Sequence, residues 1–134
     1  MAEYRKPIPK PTPETQDFWD GTKAGELRLQ RCNECSHVYF PPRPFCSKCA
    51  SRNVSSFKAS GKGTLHTFTV IHYPQFPGYE FPIIAALVDL EEGTRLMSSL
   101  VGCQPARVQI GMKLVGEIQR DEDGFALPVF RPAQ

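Results

Sequence analysis

The 134-residue sequence contains no apolar run near the ~20 residues that a membrane-spanning helix needs, and residues 1–10 lack the apolar core of a signal peptide. Spanning and secretion are excluded as first readings, and a cytoplasmic location is expected. No G-x-x-x-x-G-K-[ST], G-x-G-x-x-G or G-x-S-x-G motif occurs, so phosphate-loop and hydrolase readings lack support. There is no internal repeat. Charge of one sign is also scarce, with a formal net charge of +2 at pH 7. Residues 1–60 hold ten Lys/Arg against six Asp/Glu, whereas residues 61–134 hold six against eight, with Lys62 and Lys113 as their only lysines.

What is present fits one ordinary domain or two very small ones, with hydrophobic and charged fractions of 40% and 22% that mark a globular chain. Thirteen prolines gather near the N-terminus and around the central cysteines. Lys6-Pro7-Ile8-Pro9-Lys10-Pro11-Thr12-Pro13 reads as a polyproline-like arm, because each proline sets its own φ and biases its predecessor toward extended backbone. Thr12-Pro13-Glu14 supplies an N-cap, a proline at the first helical position and an acidic first turn. The expected helix runs through Phe18-Trp19 and ends at Gly21, with a second short helical segment over residues 22–25. Leu27-Arg28-Leu29-Gln30-Arg31 alternates with period two and predicts a strand leading into the cysteines.

From about Ser60 the pattern is β. Residues 65–73 are rich in β-branched and aromatic types. Residues 83–90 are apolar on both faces, as in a strand covered on both sides or central in a closed barrel. A turn over residues 89–94 leads to a hairpin partner at 95–101, and residues 104–109 suit one helical turn. Residues 112–120 place Met112, Leu114 and Ile118 on one face and Lys113, Glu117 and Gln119 on the other. Asp121-Glu122-Asp123-Gly124 predicts a second hairpin turn. Residues 125–130 form the last strand, which Pro128 assigns to an edge. Five strands in so short a stretch manage their edges best as a small barrel, and the OB-fold is the natural choice. The expected fold is mainly β: a proline arm and short helices over residues 1–26, a four-cysteine ribbon over 27–59, and an OB-fold over 60–134.

Cys32-Asn33-Glu34-Cys35 and Cys46-Ser47-Lys48-Cys49 form two C-x2-C knuckles separated by ten residues. Two residues between cysteines let one tight turn aim both sulfurs at a single ion, and two knuckles supply four thiolates to tetrahedral zinc. Paired disulfides are disfavoured in a chain without a signal peptide. Iron is chemically compatible with four thiolates, but zinc is the better occupant. With four protein ligands no position is left for water, which makes the metal structural. Four thiolates and one divalent ion also leave the whole protein near neutral.

Cys103 stands apart. As a nucleophile it would need a base, for which His66 or His72 are the candidates, but a packed thiol is the simpler reading. His37 is expected on the ribbon surface. Glu91-Glu92 and Asp121-Glu122-Asp123 read as solvated turn acids, so no catalytic set is expected.

The residues around the ribbon resemble a known family. Phe18-Trp19, then Leu27-Arg28-Leu29-Gln30-Arg31-Cys32, then Tyr39-Phe40-Pro41-Pro42-Arg43 between the knuckles carry the resemblance. Gly61-Lys62-Gly63-Thr64-Leu65, Ile110-Gly111-Met112 and Leu127-Pro128-Val129-Phe130-Arg131-Pro132 extend it. The family is the rubredoxin-like zinc-ribbon plus OB-fold proteins associated with acyl-CoA metabolism, and the likeness covers residues 14–132. Ser36 and Ala50 stand where the family often has glycine after each knuckle, and Ser47 where it often has proline. The resemblance implies an accessory subunit, without catalysis of its own, complexed with a thiolase, a thiolase-like synthase or aldolase, or a hydratase. Steroid side-chain degradation is one such setting.

Three functions follow as expectations. In the first, the segment Tyr73-Pro74-Gln75-Phe76-Pro77-Gly78-Tyr79-Glu80-Phe81-Pro82 docks an acyl-CoA enzyme, with Tyr73, Phe76, Tyr79 and Phe81 as anchors and prolines reducing the entropy lost on binding. In the second, Arg43, Lys48 and Arg52 meet the phosphates of an acyl-CoA. In the third, the ribbon and OB-fold bind nucleic acid, a use that the acidic balance of residues 61–134 disfavours because such binding rests on Lys and Arg.

Overall fold

The computed structural model describes residues 7–73, 79, 82–120 and 125–133. Its element order is α1 (Gln16–Lys23), β1 (Arg28–Cys32), β2 (Val38–Tyr39), β3 (Val54–Lys58), β4 (Lys62–Ile71), β5 (Ile83–Leu90), β6 (Arg95–Leu100), a 3-10 turn (Pro105–Arg107), β7 (Lys113–Arg120) and β8 (Ala126–Pro132). The expected mainly β architecture holds.

The helix cap is Thr15, three residues later than the expected Thr12, and Pro13 and Glu14 lie in a turn ahead of the helix that Thr12 helps to close. The Thr15 N–H reaches Thr12 Oγ1 at 3.3 Å and the Gln16 N–H donates to the Thr12 carbonyl at 2.9 Å. The helix does not stop at Gly21, however, and no second helical segment follows. α1 runs unbroken to Lys23, and Gly25 ends it with φ of 83°. Gly21 is there for space rather than termination: a Cβ at that position would sit 2.7 Å from the Arg28 side chain, which crosses the helix to pair with Asp17 at 2.8 Å and Glu26 at 3.2 Å.

β1 is the centre of a small antiparallel sheet in the order β2-β1-β3. The alternation buries Leu27 and Leu29 but breaks at Arg31, which is exposed and lies 4.3 Å over the Phe57 ring of β3, and Cys32 is buried at the strand's end. β3 carries exposed serines and one half-buried aromatic, too weak an apolar pattern for sequence reasoning to find.

β4 to β8 close into a barrel in the order β4-β5-β6-β8-β7. β5 alternates between buried Ile84, Ala86, Val88 and Leu90 inside and half-buried residues outside, which settles the two-sided apolar run as a barrel strand. The turn before β6 forms as expected, with the Leu90 N–H on the Thr94 carbonyl at 2.8 Å and Gly93 at φ of 97°. The acidic turn expected at 121–124 lies outside the described residues. β8 is not an edge strand. It pairs antiparallel with β7 along its length and meets β6 at Leu100↔Phe130. Pro128 is tolerated there because it has only a carbonyl to satisfy, and Ser98 donates its hydroxyl to that carbonyl at 2.9 Å.

One hydrophobic core joins both parts: Phe18, Leu27, Leu29 and Ala59 are continuous with Leu65, Val88, Leu114 and the fully buried Phe130. Helix α1 ties them further. The Phe18 ring lies 5.4 Å from Phe40 of the ribbon, the Trp19 ring 5.2 Å from Phe125 before β8, and the Arg120 guanidinium of β7 donates to the Lys23 carbonyl at 2.8 Å.

Candidate metal centre and its surroundings

Each knuckle is a turn built on its own first cysteine. The Ser36 N–H donates to the Cys32 carbonyl, and the Ala50 N–H to the Cys46 carbonyl, both at 3.0 Å. Closing such a turn requires left-handed backbone, and Ser36 and Ala50 adopt it with φ of 64° and 63° although neither is glycine. The turn then aims main-chain N–H groups at sulfur. Cys35 N–H lies 3.4 Å from Cys32 Sγ, and the N–H groups of Lys48 and Cys49 lie 3.3 and 3.5 Å from Cys46 Sγ.

All four Sγ atoms lie within 4.8 Å of one another. Across the two knuckles, Cys32 Sγ is 3.5 Å from Cys49 Sγ and Cys35 Sγ is 3.6 Å from Cys46 Sγ. Tetrahedral zinc with Zn–S bonds of about 2.3 Å requires S···S edges of about 3.8 Å, so the donor set fits zinc as it stands. Disulfides do not compete, since all five cysteines are free thiols. Cys32 and Cys46 are buried, Cys35 is half-buried and Cys49 faces solvent.

Electrostatics within the cluster is uneven. Burial works against ionising Cys46, but the N–H groups of Cys49 and Lys48 outweigh it and hold the thiol down to about 7. The main-chain N–H of Ser51 favours the Cys49 thiolate, yet hydrogen bonding to Cys32 and burial push that thiol up to about 12. Four close sulfurs cannot all carry charge without a cation between them, and zinc supplies that compensation while deprotonating its ligands.

Tyr39 lies beneath the cluster, and burial and then the neighbouring sulfurs push its phenol up. Its hydroxyl is buried without a hydrogen-bond partner among the described residues, and its ring stacks on His37 at 5.7 Å. His37 serves the knuckle through its carbonyl, which accepts the Cys32 N–H at 2.9 Å. Gln30 places the Phe-Pro-Pro-Arg run: its Oε1 accepts the Arg43 N–H at 2.8 Å, just after the cis Phe40–Pro41 peptide. An ordinary strand glutamine carries no sequence signal for that task.

Residues 19–55 match the ChsH2 rubredoxin-like zinc ribbon domain, and residues 58–119 match the ChsH2 C-terminal OB-fold domain. A DUF35 domain-containing scaffold protein of Methanocaldococcus jannaschii is 39% identical over 97 residues, covering 70% of this chain and 69% of that protein. The chain belongs to the DUF35 family. A solved structure described as Ltp2-ChsH2(DUF35) aldolase superposes on 95% of this DUF35 chain and all of its own, with a TM-score of 0.88 and 36% identity. The 3-oxo-4,17-pregnadiene-20-carboxyl-CoA hydratase alpha subunit of Mycobacterium tuberculosis is 44% identical over 104 residues, and a probable enoyl-CoA hydratase alpha subunit of Thermomonospora curvata is 40% identical over 117. Our DUF35 chain spans about a third of these hydratase subunits, 33% and 37% of their lengths.

The other residues singled out from sequence divide clearly. Arg43, Lys48 and Arg52 are exposed on the ribbon, and none carries an ion pair among the described residues. Tyr73 is 83% exposed and Tyr79 36%, while Phe76 and Phe81 lie outside the described residues. Cys103 is half-buried, and its thiol is directed at the neighbouring Gln104 carbonyl at 3.5 Å rather than at a histidine. His66 is engaged elsewhere, by Arg95 at 3.1 Å and Asp89 at 3.4 Å. Glu92 is more than a solvated turn acid, because its Oε2 accepts the Ser60 N–H at 2.6 Å at the junction between ribbon and barrel. No described helix is long and apolar enough to cross a membrane.

Proposed function

We propose that this chain is a non-catalytic accessory subunit that binds and supports a thiolase-fold enzyme acting on acyl-CoA thioesters, in the cytoplasm. The observation that carries this reading is the end-to-end likeness to the DUF35 chain of an Ltp2-ChsH2 aldolase, at 36% identity and a TM-score of 0.88. The site chemistry agrees with it: the metal has four protein donors and no open position for substrate, so zinc acts by ordering the ribbon. Steroid side-chain degradation is the proposed setting, supported by the name of the 44% identical M. tuberculosis relative. That same name favours a second reading, in which the partner is a hydratase-fold subunit.

In either case the exposed Tyr73 and the aromatic segment that follows would meet the partner. Arg43, Lys48 and Arg52 are proposed contacts for the CoA phosphates, and the three parts proposed from sequence (1–26, 27–59 and 60–134) serve as strap, metal-ordered platform and barrel. The test is purification of the tagged chain from its own host after nuclease treatment, at moderate salt, with co-eluting proteins identified by mass spectrometry. A stoichiometric thiolase-fold subunit is expected; a hydratase-fold subunit would select the second reading. Elution alone, or with nucleic-acid machinery, would overturn both.

A further inference from the structure

The outer face of the β4-β5-β6 sheet carries no charge along its middle and exposes apolar side chains there. Ile84, Ala86 and Val88 point inward, so Ile83, Ala85 and Leu87 point outward. Register places Ile71 beside Ile83 and sets Leu87 between Thr67 and Met97, with Thr69 and Ser99 on either side of Ala85, so that small hydroxyls alternate with apolar side chains and no charge lies among them. Ile71 is 36% exposed and Met97 73%, whereas an outward strand position is ordinarily polar when nothing covers it. The apolar face continues at one end into exposed Tyr73. At the other end it stops at the Asp89–Arg95 ion pair, with the His66 ring against both.

We infer that this face, centred on Leu87 and Met97, is the docking surface for the partner subunit, and that the partner meets it with an apolar, uncharged patch. The inference rests on the accessory-subunit reading and adds the surface through which it operates. Two observations choose this occupant. No unpaired charge lies on the face, so nothing on it calls for a charged peptide or a phosphate. Three strands at about 4.8 Å spacing over five residues of about 3.4 Å span only about 250 Å² per side. Two copies of this chain joined face to face would bury about 500 Å², against the roughly 1,200 Å² or more of a stable interface. The face suits the centre of a larger heterologous contact that also takes in Tyr73.

The test is carbene footprinting with a photoactivated diazirine, read peptide by peptide, on the isolated chain and on the complex purified from the host with its identified thiolase-fold or hydratase-fold subunit. The peptides bearing Leu87 and Met97 should label fully in the isolated, monomeric chain and lose at least fivefold in the complex. Met97→Glu should cut the co-eluting partner at least tenfold while leaving the thermal midpoint of the isolated chain unchanged. Val115→Glu, at an exposed position on β7, should leave co-elution as it was. Equal labelling in an intact complex overturns the assignment of this face and leaves the accessory-subunit reading standing. Protection already present in the isolated chain overturns it too, in favour of cover by the chain's own residues if it is a monomer by light scattering, or by a second copy if it is a dimer. If no enzyme subunit co-elutes, both proposals fall.

Discussion

Replacing Ser36 and Ala50 by glycine should tighten zinc binding, because both knuckles hold a non-glycine residue in left-handed backbone. That conformation costs an L-residue about 1–2 kcal/mol. Glycine removes the cost but carries more conformational freedom in the unfolded chain, which takes back about 0.5–1 kcal/mol. Both side chains face solvent, so no packing is lost. The balance is a gain of about 0.5–1 kcal/mol per site. Ribbon folding and metal binding are one equilibrium in such modules, so each variant should bind zinc about 2–5-fold more tightly. The pair should reach about 5–30-fold if the sites are additive. Competition against a chromogenic chelator at one pH measures this directly. Ser36→Ala and Ala50→Ser keep the left-handed cost and should stay near the parent affinity. Glycine variants that bind zinc no more tightly would refute the argument, since they would show that the knuckle turns are not strained.

Zinc removal by a strong chelator should shift the fluorescence of Trp19, whose ring lies between Phe18 and Phe125, and far-UV circular dichroism should follow the same curve; two separated transitions would contradict a shared core. Gly63→Ala should cost about 1–3 kcal/mol in urea unfolding by overpacking, because its Cβ would stand 2.6 Å from Val88 Cγ1 and 3.0 Å from the Asp89 carbonyl. Hydrogen bonding to Arg95 holds the Asp89 carboxyl below the ordinary carboxylate range, against a smaller opposing effect of burial. The resulting stability is present above about pH 4 and is lost as pH falls through the lowered value. The stability difference between the parent and Asp89→Asn, read from urea midpoints, should therefore shrink from pH 5 to pH 3, and a difference that grew instead would reverse the assigned sign.

The parts of this molecule that were legible in its sequence are those where one physical rule dominates. Cysteine spacing is such a rule, and so is the alternation that separates Leu114 from Lys113 or Ile84 from Ile83. The helix boundary was misread because Gly21 answers to the Arg28 side chain crossing over it, a tertiary demand that local propensity does not encode. Pro128 was misread for a similar reason: the hydroxyl that satisfies its carbonyl comes from Ser98, thirty residues away in the chain. β3 has no signal in the sequence because Ser55 and Ser56 give it no apolar rhythm, and its place is set by pairing with β1 from Arg28↔Lys58 to Cys32↔Val54. In sequence Ser36 and Ala50 are departures from the family's glycine; their backbone shows that the turn geometry survives without it.

The helix that touches both the ribbon and the barrel has a consequence for the chain when metal is scarce. Because Phe18 shares one core with Leu29 on the ribbon side and Leu65 and Phe130 on the barrel side, loss of the ion is expected to unfold barrel and ribbon together. Cooperative unfolding of a single core makes the outcome all-or-none. A metal-starved cell would then hold fewer complete molecules rather than many damaged ones, and under the proposed accessory role no half-folded competitor would occupy the partner.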